Sequence, residues 1–412
     1  MADESTRGER KIFIVCIAYW NSILNKSTVM VLGMINILRC NAQTIAQKTL
    51  EICNKYLLDP VQNYFWLTDN TAYMSSLDRG AIAQFNTLVD TNSFRISCGL
   101  HAIHITMMNF ENIAFGKIIS PSGLSLKEHP FNILNLVYYL HNGYSLSNKD
   151  TPCNMKASII KELYKNFLNY DLKNYQQPIQ QRWTYELKTA QQYFERYPFH
   201  QQFAPWIIQE LQQWPNIPKA YLQKWILFNE WINNKELNLQ LKCIVKFGEW
   251  FYEPIFNFLI SYDPIPRIYQ EDGIKLLLAG NRAHELPGQV IIWINKLKFA
   301  TQNIFEIFNE ELSEAKNNLS QEKFDNLYQN LFNGIQKASE GFLKWMDMWI
   351  HLPLSICCLG SDSGHEFARV FLKVFYSFEY ELELTIKEIL YIKNLKRDWD
   401  KGFKIHLDSW KL

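Results

Sequence analysis

Tyr64-Phe65-Trp66-Leu67-Thr68-Asp69-Asn70 is the stretch on which the fold turns. Its large apolar side chains run together without polar alternation, the pattern of a short strand covered on both faces. An acid directly after such a strand stands at the sheet's exit, where open α/β sheets place their sites. Aspartate also ends strands because its carboxylate caps turns, so Asp69 by itself supports both a functional and a purely local reading.

The flanks extend the layer in both directions. Upstream, Lys11 to Trp20 is rich in β-branched and aromatic residues and predicts a strand, Asn25-Lys26-Ser27 a turn, and Thr28 to Ile35 a returning strand, together an antiparallel hairpin. Ile45, Leu50, Ile52 and Tyr56 fit helical spacing from Gln43 to Tyr56, and Asp59-Pro60 stops that element. Downstream, a helix over Ala81 to Leu88, a brief strand at Phe94-Arg95-Ile96-Ser97 and a helix opening at Cys98 and running to about Ala114 are expected. The order strand, strand, helix, strand, helix, strand, helix describes an α/β layer with a hairpin at its start.

After about residue 155 the texture becomes helical, with Trp206, Trp214, Trp225, Trp231 and Trp250 spaced as core aromatics. Pro205, Pro215, Pro218, Pro254, Pro264 and Pro266 predict short helices, few strands and a compact helical lobe. Near the end, Ser361-Asp362-Ser363 is placed to cap a helix from about Gly364 to Phe378, and Glu379 to Asp400 has the charge-rich pattern of a solvated helix.

Composition bounds the function. A chain of 412 residues, 48% hydrophobic and 15% aromatic, buries a large core and divides into about two or three units. With 42 basic against 41 acidic residues, nucleic-acid binding has to come from local patches and not from a global field. The eight cysteines are scattered without CxxC spacing, which predicts a reducing, intracellular setting. Neither a secretory signal nor an apolar run of about eighteen residues is present, so no membrane association is expected. The sequence also lacks a glycine-rich phosphate loop, a nucleophile elbow and a zinc-hydrolase signature, which argues against a small-molecule enzyme.

Three acids stand where a polar residue needs explaining: Asp3 before the hairpin, Asp69, and Glu366 at the start of the late helix. Carboxylates converging on Mg²⁺ or Mn²⁺ are the minimal equipment for phosphodiester chemistry, since a hard cation takes oxygen ligands and activates the attacking oxygen. Singly, Asp3 also reads as a solvated terminal charge and Glu366 as a first-turn helix acid. Cys98 and His101, with His104 one turn on, have ligand chemistry suited to zinc but no second pair to close a site, which favours a metal-free structural role. Arg182-Trp183, at the entrance to the helical lobe, suits either a phosphate clamp with base stacking or a pin between lobes.

The order Asp3-Glu4-Ser5-Thr6, Thr68-Asp69-Asn70, Cys98-Gly99-Leu100-His101 and Arg182-Trp183 resembles the ribonuclease H-like core of hAT-type DNA transposases. The resemblance implies a mixed sheet flanked by helices in residues 1–180, a helical insertion in 181–350, and a return to the core with C-terminal helices in 351–412. It further implies that Asp3, Asp69 and Glu366 hold Mg²⁺ or Mn²⁺ as the catalytic acids, that Cys98, His101, Arg182 and Trp183 support a DNA end, and that the protein is nuclear. Setting Arg369 and Phe371 in register with the family's late S-x-E-R-x-F-S pattern puts Ala368 at the position of the third acid. With Asp3 in the first strand, most of that strand would precede Met1, so a truncated or degenerate, transposon-derived protein is expected. Two functions follow: metal-dependent DNA cleavage and strand transfer, or a non-catalytic nucleic-acid-binding or protein-interaction module, with the helical lobe available to a protein partner or a second copy.

Overall fold

Trp66 is buried at the centre of the N-terminal core, edge-on to Phe85 at 4.9 Å between ring centroids, and the elements around it follow from that burial. The computed structural model describes residues 2–7, 10–21, 26–37, 40–60, 65–69, 71–76, 78–91, 93–118, 125, 127–142, 157–179, 182–215, 217–260, 262–271, 274–281 and 286–351. Glu366, Ser361-Asp362-Ser363 and the helices expected beyond residue 364 lie outside the described residues.

Strands β1 (Ala2–Arg7), β2 (Arg10–Asn21) and β3 (Lys26–Ile37) form an antiparallel sheet in that order. Phe13 and Val15 of β2 bury one face of it, against Ile45 and Ile52 of helix α1 (Ala42–Lys55). Contact there is close: a Cβ on Gly33 of β3 would meet the Ile52 side chain at 2.9 Å. Asn41 caps α1 by accepting a hydrogen bond from the Thr44 amide at 2.8 Å, which satisfies one of the amides a helix start leaves open.

β4 (Phe65–Thr68) pairs in parallel with β5 (Phe94–Ser97), and β1 runs beside β4 without a described ladder between the two sheets. The connection from β4 to β5 passes through α2 (Ala72–Ser75) and α3 (Ala81–Val89). Asp90 takes the left-handed conformation (φ 51°) that ends α3, and Asn86 brackets Ser93 with two 3.0 Å hydrogen bonds, so the chain enters β5 in a fixed register.

The remainder is helical: α4 (Gly99–Ala114), α5 (Pro130–Asn142), α6 (Ala157–Leu168), α7 (Trp183–Gln213), α8 (Lys219–Asn233), α9 (Lys235–Phe247), a π-helical turn (Gly248–Tyr252), α10 (Glu253–Ile260), α11 (Leu286–Gln302), α12 (Ile304–Ile307), α13 (Asn309–Asn318) and α14 (Gln321–His351). Their shared core enlists α4, α5 and α6 from the first 180 residues as well as the helices that follow. Trp225 and Trp231 are buried in it, and Trp206, Trp214 and Trp250 pack against it, as core aromatics should. Small residues let α14 lie directly on α4: a Cβ on Gly334 would stand 3.0 Å from the Phe110 carbonyl. Among the described residues no helix is long and apolar enough to cross a membrane.

Two expectations from the prolines are corrected. Pro205 does not end a helix, because α7 continues through both Pro198 and Pro205; packing of its buried face outweighs the lost amide bonds. Pro264 and Pro266 lie not between helices but in β6 (Tyr262–Glu271), which pairs antiparallel with β7 (Ile274–Asn281). The ladder is irregular between Asp263 and Arg267, where a residue without an amide hydrogen is tolerated.

Deep in the helical core, four side chains form one chain of hydrogen bonds. His141 Nδ1 is 2.8 Å from the Val137 carbonyl, which only accepts, so this nitrogen carries the hydrogen. His141 Nε2 then accepts from the Tyr164 hydroxyl at 2.8 Å, and the Tyr164 oxygen accepts from His200 Nδ1 at 2.7 Å. His200 Nε2 accepts from Tyr175, whose ring lies under the Arg196 guanidinium. Burial holds both imidazoles neutral, His141 down to about 3 and His200 well below its ordinary value, so one direction of bonding is fixed along the whole chain.

Candidate functional site

Asp69 leaves β4 half-buried, and its local bonds define what it can do. Oδ1 accepts from the Thr71 amide at 3.2 Å and from the Thr71 hydroxyl at 2.7 Å, a turn in which the aspartate substitutes for a backbone acceptor. Its backbone carbonyl accepts from Arg95 Nη2 at 2.8 Å, while Arg95 Nε donates to Thr68 Oγ1 at 3.1 Å. Arg95 thus ties the ends of the two parallel strands together. Its guanidinium also lies over the Trp345 ring of α14 at 5.8 Å, joining the sheet to the helical part. Burial lowers the Arg95 pKa, opposed by the negative charge of Asp69.

Cys98 follows β5 directly, its amide donating to the Thr68 carbonyl at 2.9 Å and its own carbonyl accepting from the Ala102 amide as α4 begins. From there α4 acts as a spine. His101 is half-buried one turn along, and His104 sits a turn further, roughly 9 Å from Cys98 at the helical rise. His104 Nδ1 accepts from the Trp183 amide and from the Tyr252 hydroxyl, each at 3.1 Å, so α7 is capped at its first residue by a histidine of α4. Two bonds to Nδ1 place the ring hydrogen on Nε2. Burial, with His101 and Arg182 nearby, pushes His104 down to about 4, keeping it neutral. The Arg182 side chain, at the N-cap of α7, is exposed.

Trp183 is fully enclosed. Its ring lies 5.1 Å from the Tyr252 ring, and a Cβ on Gly248 would meet it at 2.7 Å. No face of the indole is open to a stacking base, and its position is that of a pin between α4, α7 and the π-helical turn. Cys98 thus opens α4 against the end of β4, and Arg182-Trp183, far away in sequence, meets the same helix two turns on, at His104.

Asp3 lies in β1 opposite Ile14, on the strand that runs beside β4. Among the described residues no group of three His, Cys, Asp or Glu side chains is arranged to hold a metal ion. Nor does Asp69 by itself suit a divalent cation, since one oxygen serves the turn and the charged neighbour acting on it, Arg95, is itself a cation. No protein-family model and no curated protein matches this chain.

Arg95, Tyr252 and the buried acids Glu111 and Glu186 were not singled out from sequence. Arg95 carried a usable signal, because an arginine inside the apolar strand Phe94-Arg95-Ile96-Ser97 has to find a partner when buried. The other three read as ordinary helix residues until α4, α7 and the π-helical turn are packed together.

Proposed function

We propose that this chain is a DNA-binding protein derived from a hAT-type transposase, with a ribonuclease H-like core that carries the binding site on the first two turns of α4. The observation that carries the proposal is that the first two turns of α4 meet the end of β4 through the Cys98 amide and the Arg182-Trp183 start of α7 through His104 Nδ1. Two further features support it. Sheet order β1-β2-β3 with β1 beside β4, and β4 parallel to β5, is the arrangement a single mixed sheet of order β3-β2-β1-β4-β5 would give. Arg182, exposed at the start of α7, supplies donors and positive charge at the junction, as a phosphate backbone requires.

Asp69 favours binding over catalysis, since the Thr71 turn and Arg95 occupy the surroundings a metal would need. The alternative, an active transposase using Mg²⁺ or Mn²⁺, rests on the place of Asp69 at the end of a strand beside β1 and requires acids outside the described residues. DNA binding is tested by fluorescence anisotropy of a labelled duplex with the full chain. The expected result is salt-dependent binding that Arg182→Ala weakens about tenfold at low salt, in line with a charged contact of roughly 1–2 kcal/mol. Absence of binding at low salt, or equal affinity of the two proteins, removes the proposal. Mn²⁺-dependent nicking by wild type that Asp69→Asn abolishes would establish the catalytic alternative.

A further inference from the structure

Glu111 of α4 and Glu186 of α7 lie beneath the junction, fully buried, and none of their four carboxyl oxygens accepts a hydrogen bond from a donor among the described residues. The two carboxyls face each other within hydrogen-bond reach. Trp183 Nε1 stands beside Glu111 without closing a bond of normal geometry.

Among the described residues the surroundings supply no counterion. From α7 the pair meets Trp183, and from the π-helical turn come Tyr252, bonded to Thr184 and His104, and Glu249, bonded to Gln191. On α10, Glu253 is engaged by Gln191, and on α14, Lys337 and Glu340 pair with each other at the surface. No lysine, arginine or histidine among the described residues acts on either carboxyl.

Two adjacent carboxylates without donor or cation are not a state that a protein interior supports. Besides the Trp183 indole N–H, the donors within reach of these oxygens are the carboxyls' own protons. We propose that Glu111 and Glu186 are protonated together and close an acid-to-acid hydrogen bond across the α4–α7 contact, which latches the two helices in mild acid and is strained as the pair loses its protons.

Burial raises both groups above the ordinary carboxyl value, Glu111 to about 7. A group raised in the folded state contributes stability below its unfolded pKa and loses it as pH rises toward the folded value. The latch is therefore closed in mild acid and strained as the solution passes neutrality, whether or not the chain binds DNA.

The test is urea unfolding of the full chain across about pH 5.5 to about 8, comparing wild type with Glu111→Gln and Glu186→Gln, whose amides keep a donor and an acceptor in place without titrating. Relative to Glu186→Gln, the wild-type unfolding constant should rise by up to about tenfold per pH unit until the pair ionises. Isotope-edited infrared spectra of folded wild type should show a protonated carboxyl band that persists after surface acids have ionised and is lost from the variants. Should the variants fail to fold, the wild-type spectrum decides alone. Absence of that band near the acid end, an unchanged pH dependence in Glu186→Gln, or a stoichiometric metal ion in native wild type would overturn the proposal.

Discussion

Replacing Tyr164 with phenylalanine removes one oxygen and breaks the buried network at its centre. That oxygen donates to His141 Nε2 at 2.8 Å and accepts from His200 Nδ1 at 2.7 Å. Tyr164→Phe therefore strands an acceptor on one imidazole and a donor on the other, both on side chains with no exposed surface. The ring itself stays in place, because it stacks on Phe203 at 3.6 Å between centroids and leaves that contact unchanged. Each stranded group costs about 1–3 kcal/mol, so the variant should lose about 2–6 kcal/mol. Tyr175→Phe removes the donor to His200 Nε2 alone and should lose about 1–3 kcal/mol. Urea denaturation of the three proteins at neutral pH measures both differences. A loss below about 0.5 kcal/mol for Tyr164→Phe, or a larger loss for Tyr175→Phe, would refute the place of Tyr164 at the centre of a stabilising network.

Two other predictions follow from burial. His141 and His200 are held below the ordinary histidine value, so the unfolded chain binds protons that the native one excludes, and stability falls as pH drops from about 6.5 toward the lowered folded values. The Glu111–Glu186 pair acts with the opposite sign, so the quantity to measure is the difference between wild type and His200→Gln; its slope over that window should be about 1.4 kcal/mol per pH unit, and a flat difference would count against a neutral His200. Gly248→Ala would put a Cβ 2.7 Å from both the Leu187 and Trp183 side chains, and should lower stability by about 1–3 kcal/mol in thermal melting; an unchanged melting temperature would show that the π-helical turn yields easily.

The N-terminal layer was legible because its signals are local. Phe94 to Ser97 stands between turn residues, and the apolar spacing after Cys98 marks α4 to its last residue. Hydrophobic pattern also gave the hairpin of β2 and β3, since its strands are long and strongly β-branched. β6 and β7 were hidden for a physical reason: Pro264 and Pro266 read as breakers, yet an irregular two-stranded ladder tolerates residues that donate no hydrogen bond. The run of α7 through Pro198 and Pro205 was hidden likewise, because tertiary burial set its length against local propensity.

For the candidate site, Asp69, Cys98, His101 and Arg182-Trp183 were visible as residue types, but their connection was not. His104 joins α4 to α7 by accepting the Trp183 amide, and Arg95 joins β5 to the end of β4; both are long-range contacts that no spacing encodes. Trp183 also changes meaning once its burial is known, from a stacking platform to a pin beneath an exposed arginine.

Hydrogen exchange of the full chain with and without duplex DNA tests most directly where DNA is held. Slowed exchange concentrated at residues 98–105 and 182–186, and diminished in Arg182→Ala, is the predicted result. Protection confined to other surfaces, such as the exposed Ile291 and Ile292 of α11, or no protection at a DNA concentration that saturates binding, would contradict it.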